Sequence, residues 1–306
     1  MTMSERPQLS VVIPAYNYAA TVTRAVESVL AQLHEASAEL LVIDDGSTDQ
    51  TPQVLADLQA RFPGTFRVLR KDNGGLSSVR NRGIDEARGD FLIFLDADDE
   101  MAPGALQTLS EHLKSNPSSK MIIGGHWSVF ADGKRALHQP PVLSESPLAR
   151  VRDYLIDKRI ALSNGACAMH RDVFEPGRYP ESFRSAEDIP VFAQVLGNYP
   201  CTVLAQPLAL IHKHDDSLRH QFQHAKAGGL ALVDEVFASQ RLGPEFQVLR
   251  AAFYAQRSLS LFRSAYLAGD RAAAKQFFRA AVRQDWRVLF KLTYARKALR
   301  VWLGLA

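Results

Sequence analysis

Phe91-Leu-Ile-Phe-Leu-Asp-Ala-Asp-Asp99 is the stretch on which the reading of this 306-residue chain turns. Its five leading apolar residues read as a buried strand. Carboxylates follow at Asp96, Asp98 and Asp99. Like charges at i and i+2 repel, so the arrangement is a poor one for stability alone. A divalent cation relieves the repulsion. Hard carboxylate oxygens suit Mg²⁺ or Mn²⁺, ions that commonly also bind substrate phosphates. The competing reading is an acidic surface turn.

Position favours the first reading. Residues 9–14, 39–43 and 66–69 are further short apolar runs, and residues 21–33, 51–62 and 77–87 carry apolar side chains at helical spacing. Strands alternating with helices predict an α/β fold, a mostly parallel sheet built from βαβ units and flanked by helices. Ligands bind such sheets beyond the carboxyl ends of the strands. Pro14-Ala15-Tyr16-Asn17, Asp44-Asp45-Gly46-Ser47-Thr48-Asp49 and Asp96-Ala97-Asp98-Asp99 each follow a strand, so they are expected along one sheet edge. A carboxylate at the end of residues 39–45 can accept a uracil imide N–H or meet a ribose hydroxyl; equally, Asp49 or Ser47 can cap the next helix. Tyr16 can pack beside a base, or its segment is a plain turn. Asn73-Gly74-Gly75 allows close backbone approach to a ligand. Arg80 and Arg82 suit pyrophosphate or base edges; a loop and a solvated helix face are the alternative.

Further on, residues 102–113 read as a helix, 121–130 as a strand, Asp132-Gly133 as a hairpin turn and 133–149 as a proline-rich loop. Residues 161–170 and 202–211 read as extended, on either side of a helix starting near Glu187. Residues 221–240, 244–268, 271–284 and 286–303 are expected to be four helices, punctuated by Gly243-Pro244 and Gly269-Asp270.

Hydrophobic residues make up 46% of the chain and charged residues 23%, enough to bury a core. Cys167 and Cys201 form neither a metal pattern nor a disulfide framework, so a reducing cytoplasm is expected. The polar start and the lack of an 18-residue apolar window predict no secretory signal and no transmembrane span. The net charge of +3 conceals an asymmetry, +8 over residues 271–306 and −5 over the rest, which suggests an anionic partner for the tail. Drawn as one helix, residues 286–303 place Val288, Leu292, Ala295, Leu299, Trp302 and Leu303 on one side, with Arg287, Lys291, Arg296 and Arg300 flanking. Such a helix can lie in an anionic membrane interface, or it packs on the rest of the protein. Nucleic acid is not an expected partner, because interleaved aromatic and basic sheet residues are lacking.

Four motifs in order, Leu9-Ser-Val-Val-Ile-Pro-Ala-Tyr-Asn17, Val42-Ile-Asp-Asp-Gly-Ser-Thr-Asp49, Asn73-Gly-Gly75 with Arg80-Asn81, and Gly89-Asp-Phe-Leu-Ile-Phe-Leu-Asp-Ala-Asp-Asp99, resemble those of the family 2 glycosyltransferases of GT-A fold. The match is dense over the first third and continues thinly to about residue 218. It implies a catalytic domain over residues 1–218, the nucleotide-binding half at 1–100 and the acceptor half at 101–218, followed by a helical region at 219–306. The implied nucleotide-sugar site comprises Pro14, Ala15, Tyr16, Asn17, Asp45, Asn73, Gly74, Arg80, Asp96 and Ala97, with Asp45 on the base and Asp44 beside it. Asp96 and Asp98 match the DXD signature; Asp98 and His214 are the implied ligands of Mn²⁺ or Mg²⁺. His212 falls where an arginine is often found.

Glu187-Asp188 matches a later motif whose aspartate is the general base of inverting members. Without the resemblance, Ser185-Ala-Glu-Asp188 reads as a helix N-terminus, where the dipole favours acids. Trp127, His126, Asn164 and loop 133–149 are candidates to line the acceptor site. The implied activity is inverting, metal-dependent transfer from a nucleotide sugar, a UDP-sugar first, to a hydroxyl of a glycan or lipid-linked acceptor. The setting would be cell-envelope or exopolysaccharide synthesis, in the cytoplasm or on the inner face of its membrane. A sugar-phosphate nucleotidyltransferase is a second reading, although residues 9–17 lack its Gly-rich signature. A catalytically silent sugar-nucleotide-binding scaffold is a third; the presence of Asp45, Asp96, Asp98 and Asp188 argues against it.

Overall fold

The first four apolar runs form β1 (Leu9–Ala15), β2 (Ala38–Asp44), β3 (Arg67–Arg70) and β4 (Phe91–Phe94) in a computed structural model that describes residues 6–213 and 222–304. They pair in parallel in the order β3-β2-β1-β4. Every residue of β1 and β4 is buried, as parallel strands covered on both faces require. The crossovers are α1 (Val22–Leu30), α2 (Thr51–Arg61) and α3 (Leu76–Glu86). On α1, Val22, Ala25, Val26 and Val29 face the core. On α3, a Cβ at Gly83 would stand 2.7 Å from Val12 Cγ1, so the helix sits as close to β1 as glycine allows.

Beyond β4 the sheet becomes mixed. It adds β5 (Glu100–Met101), β6 (Met121–Val129), β7 (Arg135–His138), β8 (Cys167–His170) and β9 (Cys201–His212), with α4 (Ala105–Ser115) between β5 and β6. The full order is β3-β2-β1-β4-β8-β6-β9-β5, with β7 paired to β6. Loop 133–149 is therefore only partly a loop. Arg135–His138 joins β6 antiparallel across a turn at Gly133 (φ 80°), and Ser146 caps α5 (Pro147–Arg152) through its hydroxyl. The strand is missed in sequence because its pairing with β6, not local propensity, makes it.

By its internal packing the chain divides into two compact units. One comprises Met1–Leu143, Ile160–Glu181 and Asn198–His214, and holds the whole sheet. The other comprises Ser144–Arg159, Ser182–Gly197 and Asp215–Ala306. Segments 144–159 and 182–197 thus pack with the helices of the later chain. The reason lies in α6 (Asp188–Asn198): Gln194 Oε1 accepts from Arg241 Nη1 at 2.9 Å, and a Cβ at Gly197 would meet Leu242 at 2.7 Å.

The remaining helices are α7 (Phe222–Gly228), α8 (Ala231–Val236), α9 (Arg250–Leu267), α10 (Arg271–Gln284) and α11 (Leu292–Trp302). Two expected helices are broken. The helix over 221–240 is interrupted at Gly229 (φ 46°). That over 286–303 splits at Lys291 into a 3₁₀ turn, Trp286–Phe290, and α11. Of the side expected to be apolar, Val288 is packed while Leu292, Leu299, Trp302 and Leu303 are exposed; the buried residues of α11 are Ala298 and Val301, which lie off that side. Among the described residues no helix is long and apolar enough to cross a membrane.

Candidate active site

The carboxyl ends of β1, β2 and β4 bring the expected loops together. Asn17 takes the left-handed conformation (φ 59°), which asparagine tolerates better than most residues. Its Oδ1 accepts from the Thr48 and Asp49 amides at 2.8 and 3.3 Å, while its own amide donates to Ser47 Oγ at 2.9 Å. Tyr18 and Ala19 amides donate to Thr51 Oγ1 and Asp49 Oδ2. The loops after β1 and β2 are thus closed onto each other. Pro14 and Ala15 lie buried within β1, and the Ala15 carbonyl accepts from the Asp45 amide at 2.8 Å. Tyr16 is exposed.

Asp44 and Asp45 are both buried. Asp44 Oδ1 accepts from the Ser47 amide at 2.9 Å, a turn contact, and Arg70 Nε stands 3.4 Å from its other oxygen. Asp45 accepts from Lys71 Nζ at 2.7 Å, the Gly74 amide at 3.0 Å and the Gly75 amide at 2.7 Å. Asn73 Nδ2 donates to the Asp45 carbonyl at 3.1 Å. A carboxylate has about four acceptor positions, so three internal donors leave one.

The acidic run forms the second focus. Asp96 is met at 3.1 Å by Nη2 of the buried Arg80, whose guanidinium lies 5.3 Å above the Tyr179 ring. Tyr179 in turn donates from its hydroxyl to Asn164 Oδ1 at 2.6 Å. Ala97 is fully buried and Asp98 half-buried. Arg24 donates to the Asp98 carbonyl and stands 3.4 Å from Glu100. His212 spans the same place: its amide donates to Asp99 Oδ1 at 2.8 Å and its ring Nε2 lies 2.7 Å from Glu100. Burial, then the charges of Asp96 and Asp98, push the Asp99 carboxyl up to about 8. Burial and the same three aspartates push Tyr18 above the usual phenol range.

This crowding is the condition a divalent cation relieves, and Mg²⁺ or Mn²⁺ needs only one or two carboxylates when substrate phosphates supply the rest. Among the described residues no group of three His, Cys, Asp or Glu side chains forms a closed metal cage. His214 lies outside the described residues.

Asp188 opens α6 in the second unit. Ala186, two residues earlier, holds φ 63°, which costs an L-residue about 1–2 kcal/mol; strain of this kind collects at functional sites. The lining candidates part company. His126 stacks on His138 at 4.6 Å, Trp127 packs against the sheet core, and Asn164 is engaged by Tyr179. Tyr18, Arg24, Lys71 and Tyr179 escaped the sequence reading. The cationic ones carried a faint signal as charges within one turn of a strand-end loop; Tyr179 carried none.

A mixed α/β sheet with a helical C-terminal region is the GT-A architecture, and solved structures share it. Staphylococcus aureus TarS 1–349 superposes with TM-score 0.56 at 18% identity over 90% of each chain. A mannosyltransferase of Pyrobaculum calidifontis, in complex with GDP-Man and Mn²⁺, gives 0.57 at 16% identity over 97% of this chain and 84% of that one. The glycosyl transferase family 2 profile matches residues 10–177, and the chain belongs to that family. Among curated relatives, an uncharacterized glycosyltransferase of Nostoc sp. is 40% identical over 45% of this chain and 43% of its own length. The succinoglycan biosynthesis protein ExoO of Rhizobium meliloti is 28% identical over 76% and 68%. The chain spans about half or less of the length of the relatives it first matches.

Proposed function

We propose that this chain is an inverting glycosyltransferase that moves a sugar from a nucleotide sugar, with UDP the first candidate, to a hydroxyl of a glycan or lipid-linked acceptor in envelope or exopolysaccharide synthesis. The observation that carries the reading is the acidic run after β4, where Asp99 is pushed up to about 8 and Tyr18, Arg24, Arg80 and His212 surround it. A neighbour of this fold solved with UDP and with UDP-GlcNAc supports the choice of UDP, and one solved with Mn²⁺ supports a metal.

In this reading residues up to 100 hold the donor and later ones the acceptor. Tyr16 and the remaining acceptor position of Asp45 receive the base, Asn73 and Gly74 border it, and Asp96 takes a ribose hydroxyl. Arg80 brings positive charge beside Asp96. Asp98, with His214, would hold Mn²⁺ or Mg²⁺, which when bound stabilises the charge growing on the leaving diphosphate. Asp188 removes the proton from the acceptor hydroxyl as it attacks the anomeric carbon from the face opposite the leaving group, which inverts the configuration. The exposed apolar and basic residues of 286–304 are read as contacts to an anionic leaflet, placing the protein on the inner face of the cytoplasmic membrane.

Asp188→Asn is the direct test. UDP affinity by calorimetry should stay within about twofold. Release of UDP from a UDP-sugar in the presence of Mn²⁺ should fall by on the order of 10²–10⁴, the usual worth of a general base. Release at the normal rate would remove Asp188 from the mechanism.

A further inference from the structure

The last two helices of the second unit enclose a groove. α10 and α11 double back on each other across the Trp286–Phe290 turn, and Arg271 Nη2 donates to the Gly304 carbonyl at 2.8 Å, which ties the end of α11 to the start of α10. Phe278 and Trp302 meet edge to face at 5.8 Å, so the helices touch at that end. Nearer the turn α11 presents two small side chains, Ala295 and Ala298, about one turn apart. The space they leave is a cavity of about 600 Å³, walled also by Val282 of α10 and by Leu289 and Leu299. Small-molecule sites run from about 300 to 1,000 Å³. Leu289, Leu299 and Trp302 are exposed, so the cavity opens to solvent along an apolar lip.

One wall of this apolar groove is cationic. Arg279 and Arg283, four residues apart on α10 and both exposed, line the same cavity. Lys275, one turn earlier, stands with Arg279 at 5.8 Å from the Trp302 ring. Asp285 is the one acid among residues 271–306, and its Oδ1 accepts from the Arg287 amide. Every polar side-chain group on the lining is a donor: an arginine offers five N–H groups and no acceptor, and an indole offers one N–H.

We propose that the groove takes one apolar chain of an anionic membrane lipid, whose phosphate is held at the rim by Arg279 and Arg283. The proposal deepens the leaflet contact given above and rests on it for the source of the lipid. A flat contact needs only exposed side chains, whereas a cavity can draw a single chain out of the leaflet. A chain of methylenes asks no hydrogen bond of the walls. A peptide would bring backbone N–H groups that donor side chains leave unmet. A second copy would set a segment of charge +8 against itself. Phosphate, an acceptor with a negative charge, matches paired guanidinium groups in both charge and geometry.

The test uses the full chain and dihexanoyl phosphatidic acid, kept below its micellar concentration, with binding read by calorimetry. The lipid should bind as a monomer at one site. Inorganic phosphate should bind at least about tenfold more weakly, and phosphatidylcholine with the same chains should lie between the two. Ala295→Phe fills the cavity and should weaken phosphatidic acid by a similar factor. Arg279→Gln combined with Arg283→Gln should lower phosphatidic acid to the affinity of phosphatidylcholine. Both arginines are exposed, so this variant keeps the experiment decisive if Ala295→Phe lowers the melting temperature. Unchanged affinity in the arginine variant or in a folded Ala295→Phe, or inorganic phosphate binding as tightly as the lipid, would overturn the proposal. So would a concentration-dependent dimer that Ala295→Phe abolishes, which would give the groove to a second copy. Sedimentation with anionic vesicles separates this proposal from the leaflet contact. A wild type that sediments but does not bind the monomer rejects the groove alone. One that binds the monomer without sedimenting rejects the leaflet as the source.

Discussion

At the scale of single residues, Asp99 is the side chain whose state most depends on its surroundings. Its folded value of about 8 is far above that of an unfolded aspartate. Between pH 4 and 8 the native state keeps a proton that the unfolded chain has lost, so the stability held at low pH drains away as pH rises through this window. Asp99→Asn keeps an oxygen for the His212 amide and removes the titration. In metal-free buffer the variant should melt above the wild type at pH 8 and level with it at pH 4. Equal melting temperatures at both values would show that Asp99 ionises normally. The carboxylates after β2 and β4 were legible in sequence; what each does was less so. Asp45 and Asp44 turn out to hold loops, because their partners, Lys71, Gly75 and the Ser47 amide, are fixed only when the strands align.

Among the elements, the alternation of strand and helix up to residue 115 could be read from apolar spacing, and the structure follows it. Elements made by distant pairing could not be read in this way: β7 exists through β6, and the break at Lys291 arises where Val288 and Val301 are both drawn into the helical core. The turn after β2 offers a sharp check on how elements position the site. Gly46 has φ 71°, and a Cβ there would stand 3.0 Å from the Asn73 amide nitrogen and 3.1 Å from the Lys71 carbonyl. Gly64 has φ 73° and open space around it. Gly46→Ala should cost about 1–3 kcal/mol, displace the loop held by Asp45 and weaken UDP binding about tenfold. Gly64→Ala should show the strain alone, with UDP binding unchanged. Equal UDP affinities for the two variants would mean that loop 71–75 does not shape the donor site.

For the whole molecule, charge and apolar exposure coincide. Trp286, Leu289, Phe290, Leu292, Leu299, Trp302 and Leu303 are exposed within the segment that carries most of the +8 tail. Lys275 and Arg279 each stand 5.8 Å from the Trp302 ring. Burying one large apolar side chain gains about 1.5–3 kcal/mol. Replacing Trp286, Phe290, Leu292 and Leu299 by Ser, all exposed, should therefore leave folding intact. It should reduce sedimentation with vesicles of one-third anionic lipid by more than tenfold, and the wild type should bind less as salt rises. Undiminished binding by the fourfold variant would reject the membrane reading.

The interleaving of the two units has a consequence for how the protein is made. The chain passes from one unit to the other five times, at residues 143, 159, 181, 197 and 214. No single cleavage point yields both units whole, so a fragment ending near residue 218 would lack most of the second unit's helices. On the ribosome the sheet unit waits for β9, and the helical unit for α11, before either is complete. A recombination event that exchanged the ends of two such genes would mismatch α6 and its late partners.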